Sequence, residues 1–183
     1  SIGLIPQPEG DTTDRDMTEA QKLALEALPP SVKVNGRTGH SSTSPWGWAV
    51  KAGGSDDHDW GRGIAVDSSG NAYVTGTFSH STATFGNTTL TTNASGNLFV
   101  AKLNSNGAWQ WAVTPVESTS WNWLPAGDGQ GIAVDLNGNP YVTGYFAGTL
   151  AFGSTSLTSS GSADLFVSKL SSSGSWQWAV KVG

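Results

Sequence analysis

Gly63-Ile64-Ala65-Val66-Asp67-Ser68-Ser69-Gly70-Asn71-Ala72-Tyr73-Val74-Thr75-Gly76 returns 68 residues later as Gly131-Ile132-Ala133-Val134-Asp135-Leu136-Asn137-Gly138-Asn139-Pro140-Tyr141-Val142-Thr143-Gly144. The similarity continues downstream. Leu98-Phe99-Val100-Ala101-Lys102-Leu103 returns as Leu165-Phe166-Val167-Ser168-Lys169-Leu170. Trp111-Ala112-Val113 returns as Trp178-Ala179-Val180, and occurs once before both as Trp48-Ala49-Val50. Such a repeat is a supersecondary unit that buries its apolar faces against its neighbours, and about three units are usually needed for stability. This chain has two. Function therefore turns on what covers the remaining faces.

Each repeat reads as four strands. Gly63–Asp67 is a short apolar run, expected to be a strand buried on both faces. Asp67–Asn71 and Asp135–Asn139 are turn sequences, with Asp as the capping side chain and Gly for positive φ. Ala72–Phe78 and Pro140–Phe146 follow as second strands. Pro140 fits only where a strand begins, because it has no N–H for the ladder. Residues 98–104 and 165–171 form the third strands. Asn106-Gly107 and Ser173-Gly174 turn the chain into the fourth, Trp109–Val113 and Trp176–Val180. An inserted hairpin separates strands two and three, at Ala83–Leu90 and Leu150–Leu157. The expected fold is all-β. It has two four-stranded antiparallel blades, repeat one at about 61–113 and repeat two at about 129–183.

The pattern Gly-Ile-Ala-Val-Asp-x-x-Gly-Asn-x-Tyr-Val-Thr-Gly resembles the beta-propeller repeat of secreted bacterial proteins called SBBP, and is similar to the NHL repeat. The segment Phe-Val-x-Lys-Leu-x-x-x-Gly-x-Trp-x-Trp-Ala continues the likeness, which spans about residues 46–183. The resemblance implies propeller blades with Ile64–Val66 and Ile132–Val134 innermost and the Trp strand outermost. Both indoles of each pair, Trp109 with Trp111 and Trp176 with Trp178, would then face one side, and are expected to pack between blades. Propellers close with about four to eight blades, so two leave both flanks open. Either the chain is a piece of a longer propeller, or it assembles with copies of itself as a ring or an open filament.

Residues 1–45 form a different region, an arm with six of the 14 acidic residues. Residues 17–28 read as a helix, with Asp16 as N-cap, Glu19 three residues on and Pro29-Pro30 as the stop. Met17, Ala24 and Leu28 fall on its apolar side, and a lone helix this short needs a surface to dock on. A polar linker leads to residues 46–53, a surplus strand without a blade. Its Trp46, Trp48 and Val50, with the helix face, are the candidate assembly residues, because an unpaired strand adds readily to another sheet.

Charged residues make up 13% of the chain, against about 25% in a typical globular protein. The net charge is −5. With no basic stripe, nucleic acid is not an expected partner. No run of about 18 apolar residues offers membrane insertion by a helix. Cysteine is absent, which removes thiol chemistry. Ser1 stands where a start Met would, so the N-terminus reads as processed or trimmed. Ser/Thr/Gly/Asn-rich repeats of low charge suit a secreted or cell-surface protein, expected to be bacterial.

Asp56, Asp57 and Asp59 are candidate Ca²⁺ ligands, since clustered carboxylates supply hard oxygen donors. They lack EF-hand spacing, and repeat two replaces them with Glu117–Trp121, so a solvated connection is the favoured reading and no cofactor is expected. Asp67 and Asp135 are needed by their turns. His40, His58 and His80 belong to no nucleophile motif, so an enzyme is not expected. Trp60, Trp121 and Trp123 sit in connections between repeats, where aromatics either stack on sugars or seal contacts. The expected function is an extracellular structural protein that self-assembles through blade packing, strand donation and the arm. The alternative is a propeller module that binds surface carbohydrate or protein.

Overall fold

The computed structural model describes residues 47–54, 58–79, 82–119 and 125–183. The expected helix at 17–28, with Met17, Ala24 and Leu28, lies outside them. So do Trp46, Asp56, Asp57, Trp121, Trp123, His40 and His80. Every regular element among the described residues is a β-strand.

Repeat one builds a four-stranded antiparallel sheet from β1 (Trp60–Val66), β2 (Ala72–Ser79), β5 (Gly96–Leu103) and β6 (Trp109–Val113), in that spatial order. Its inserted hairpin is β3 (Thr82–Phe85) with β4 (Thr88–Thr91). Repeat two repeats the order with β8 (Gly127–Val134), β9 (Pro140–Phe146), β12 (Asp164–Leu170) and β13 (Trp176–Val182). Its hairpin, β10 (Thr149–Phe152) and β11 (Thr155–Thr158), gains a third strand from the connection, β7 (Val116–Thr119). The strands implied to be innermost, β1 and β8, do begin each blade, and the Trp strands β6 and β13 end it.

The Tyr-Val-Thr-Gly motif has a steric cause. A Cβ on Gly76 would stand 1.8 Å from the Trp60 carbonyl oxygen, and one on Gly144 would stand 1.9 Å from that of Asp128. Next to these points the first strand of each blade bulges, between Gly61 and Gly63 and between Gly129 and Gly131. Only glycine lets the second strand approach a backbone so closely. The threonine before it donates across the sheet, Thr75 Oγ1 to Phe99 O at 2.8 Å and Thr143 Oγ1 to Phe166 O at 2.9 Å.

The two sheets stack. Leu98 and Val100 on one face of the first blade are fully buried against Val142, Phe146, Phe166 and Leu170 of the second. Trp111, Val113 and Ile132 complete this core. The other face of the first blade carries the repeat-equivalent set: Val74, Phe78, Phe85, Phe99, Leu103 and Trp109. Its cover is partial. Ile64 and Val66 of β1 are 66% and 60% exposed. The expectation of a strand buried on both faces is therefore overturned: among the described residues no full blade covers that side.

A second correction concerns the paired indoles. Lys102 pairs with Trp111 but Leu103 pairs with Trp109, so Gln110 is an extra, bulged residue. Gln177 is its counterpart in β13. Two-residue alternation fails across a bulge. Trp109 and Trp111 therefore face opposite sides of their sheet, not one. Trp109 meets Phe85 edge-on at 5.2 Å within its own blade, and Trp111 reaches toward the next.

Ser168 marks a local defect. Its hydroxyl is fully buried without a hydrogen-bond partner, and the repeat-equivalent residue is Ala101. A buried, unsatisfied hydroxyl is destabilising. Ser168→Ala is expected to stabilise the domain by about 1 kcal/mol in urea unfolding; a loss of stability would show that the hydroxyl is satisfied.

Candidate functional site

The seam between blades is held by a polar set at each repeat. Trp111 Nε1 donates to the Ser172 carbonyl at 3.1 Å, across the seam. Its ring lies over Gly174, where a Cβ would come within 2.9 Å of the indole and φ is +85°. Asp128, 2% exposed, ties both blades together. It accepts hydrogen bonds from Thr77 Oγ1 of the first blade and from Tyr145 OH of the second at 3.1 Å, with Arg62 of β1 at 3.5 Å. Burial and then the Asp128 charge push the Tyr145 hydroxyl above its ordinary value.

Asp67 and Asp135 act as turn caps. Asp67 accepts from the Ser69 and Asn71 amides at 2.9 and 3.0 Å, from Asn71 Nδ2 at 2.8 Å and from Tyr73 OH at 3.1 Å. Burial would raise this carboxyl, but the four donors outweigh it and hold it below the ordinary range. Asp135 accepts from Asn137 and Asn139 in the same way, and hydrogen bonds from Asn139 lower it too. The oxygens are spent on the turn. Among the described residues no three His, Asp or Glu side chains converge as a metal set. Asp59, the described member of the acidic cluster, accepts from the Gly54 amide at 2.8 Å and the Ser79 amide at 3.3 Å. It staples a loop.

The open flank of the first blade holds a cavity of about 400 Å³. Trp48, Trp60, Ile64, Phe85, Phe99 and Trp109 line it, with little polar surface beyond Asp59. The structure thus brings Trp60 together with Trp48, two residues assigned to different roles from sequence. Trp60 is engaged on its ring: His58 meets it edge-on at 5.4 Å and the Arg62 guanidinium lies 5.1 Å from its centre. Val50 also borders the cavity.

The opposite flank, on the second blade, is apolar and open. Leu165 is 47% exposed, whereas its counterpart Leu98 is fully buried. Trp178 and Val180 are 37% and 52% exposed. Sequence reasoning expected open flanks from the number of blades but named none of these residues, although the repeat identifies them: their counterparts one unit earlier are Leu98, fully buried, and Trp111 and Val113, partly buried. It also missed Asp128 and Glu117. The Glu117 carboxylate gathers the Thr92 hydroxyl, the Asn93 amide and Asn97 Nδ2, and so ties the connection to the first blade.

Residues 47–77 match the family model of the beta-propeller repeat SBBP. The matched stretch runs from the Trp48 segment through β1 into β2, so that segment belongs to the repeat rather than standing apart from it. No curated protein matches the chain.

Tyr73 sits at the seam, fully buried, with the Lys102 ammonium 4.9 Å from its ring. Burial, then the hydrogen bond and charge of Asp67, push its hydroxyl from the ordinary value of 10 up to about 12. A raised value means that the folded state holds the proton more tightly. The resulting stability is fully present below pH 10 and is lost as pH rises toward about 12. Alkaline denaturation is expected to begin in that window, with tyrosinate absorbance lagging until unfolding. Tyr73→Phe should be less stable at neutral pH by about 1 kcal/mol and show a shallower alkaline decline. An unchanged alkaline profile would exclude Tyr73 as its cause.

Proposed function

We propose that this propeller-type module is a structural protein that self-assembles outside the cell by stacking blades head to tail. One observation carries the proposal: the two open flanks are the two halves of the seam already buried inside the chain. The flank of the second blade offers Leu165, Trp178 and Val180, counterparts of Leu98, Trp111 and Val113. The flank of the first blade carries Val74, Phe78, Phe99 and Leu103, counterparts of Val142, Phe146, Phe166 and Leu170; Phe78, Phe99 and Leu103 are already buried in the single chain, and Ile64 and Val66 are the side chains left exposed beside them. A second copy brings one flank to the other in the geometry the seam supplies. Contacts between unlike faces propagate until rotation closes a ring, and otherwise give a filament.

Magnitudes make such assembly reversible. Burying one Leu, Val or comparable side chain contributes about 1.5–3 kcal/mol. Three of them are comparable to the association cost of about 4–15 kcal/mol. The contact is therefore weak singly and concentration-dependent. Low charge and the Ser, Thr and Asn content support an extracellular setting.

Sedimentation velocity over a concentration series checks this. The intact chain is expected to form higher species as concentration rises. Val180→Asp places a charge on the exposed flank, and should shift assembly to higher concentration while leaving the blades folded by far-ultraviolet circular dichroism. A monomer at every concentration, or assembly indifferent to Val180→Asp, would reject the proposal.

A further inference from the structure

Trp48-Ala49-Val50-Lys51-Ala52-Gly53 and Trp178-Ala179-Val180-Lys181-Val182-Gly183 differ at one position. The second hexapeptide closes its own blade: Ala179, Val180, Lys181 and Val182 all pair with β12. The first forms no ladder. It makes only the bridge Gly53 to Thr84, so the strand read from its sequence does not form. The physical reason is that, among the described residues, no strand equivalent to β12 lies beside it.

Its seat is nevertheless specific. Trp48 Nε1 donates to the Ser105 carbonyl at 3.0 Å, as Trp111 does to Ser172. Its ring covers Gly107, where a Cβ would come within 2.7 Å, as Trp111 covers Gly174. Gly53 and Thr84 exchange two backbone hydrogen bonds at 3.0 and 3.1 Å, in the place of the Val116 and Ala151 pair. Three contacts of the buried seam are thus reproduced. The hexapeptide stands where the last strand of a preceding blade would stand. No other strand of such a blade is found among the described residues, and the 400 Å³ cavity lies beside the hexapeptide. Val50 is 46% exposed in this seat.

We propose that Ser105, Gly107 and Thr84 form an assembly site for Trp178–Gly183 of a second copy, and that Trp48–Gly53 holds this site in the unassembled chain. This rests on the head-to-tail reading above. The site takes one indole: a single ring covers Gly107 and donates to Ser105. The incoming end brings Leu165 and Val167 beside its tryptophan, in the register in which Leu98 and Val100 fill the internal seam. The resident hexapeptide brings no such strand and leaves the cavity empty. Exchange therefore converts a partly filled flank into a full seam. The resident segment must leave first, so it sets the concentration at which assembly starts.

The experiment compares the full chain with Trp48→Ala and Trp178→Ala by sedimentation velocity. Trp48→Ala is expected to assemble at about tenfold lower concentration than the wild type, the effect of losing one competing contact of about 1.4 kcal/mol. Trp178→Ala is expected to remain unassembled. Hydrogen exchange on the unsubstituted chain reads the same event without a variant that might misfold: amides of Trp48–Gly53, chiefly the Gly53 N–H that donates to the Thr84 carbonyl, should exchange faster in the assembled fraction. Assembly of Trp48→Ala at the wild-type concentration or above it, or slower exchange of those amides on assembly, would overturn the exchange while leaving head-to-tail stacking standing. No assembly in any of the three chains would overturn both.

Discussion

A β-blade has two apolar faces and cannot bury both by itself; that constraint governs this structure. Within the chain it is met once, where Leu98 and Val100 are sealed against Phe146, Phe166 and Leu170. The repeated residues build the blades and that contact. Gly76 and Gly144 let the first strand of each blade press on the second. Trp111 crosses to the Ser172 carbonyl and fixes how far the next blade slides. Asp128 sits in the same seam and is answered from both sides by Thr77, Arg62 and Tyr145. Buried polar groups of this kind stabilise a unique arrangement only when every member is paired.

The same constraint makes the flanks informative. An exposed Leu or Val alone means little on a protein surface. Leu165 and Val180 mean more, because their counterparts Leu98 and Val113 are packed in the core of the seam, the first fully and the second partly buried. The Trp48 segment repeats on the first blade three contacts that the internal seam makes: an indole N–H on a turn carbonyl, a ring over a glycine and a backbone bridge to the hairpin. Polar groups there are used by the fold. The carboxylates of Asp59, Asp67 and Asp135 are all taken by amides or side chains of their own loops.

Much of the fold was legible in sequence. Repeat period, turn residues, the inserted hairpins and the order of strands in each blade all follow from local pattern, since turns and alternation are short-range properties. The matched beta-propeller repeat at 47–77 agrees with that reading. The corrections share one trait: each turns on register or neighbours, as with the Trp48 segment, which has no partner strand among the described residues. The bulges at Gln110 and Gln177 turn the paired indoles to opposite faces. Exposure of Ile64 and Val66 follows from what is not beside them. Neither register nor neighbourhood is written in the local pattern. Of the candidate site, sequence singled out Trp48 and Val50 and implied open flanks from the number of blades. It did not single out Leu165, Trp178 and Val180, because these residues look like core in isolation.

Sequence by itself determined the two blades at residues 60–113 and 127–182 and the turns within them, because spacing of Gly, Asp and Trp dictates turns and strand ends through local sterics. Only tertiary structure decided which copy of the Trp-Ala-Val segment pairs into a sheet and which rests on a turn. That choice depends on whether a partner strand stands beside it, and backbone hydrogen-bonding groups are alike in both. The difference between Trp48 and Trp178 lies in their neighbours, not in their residues.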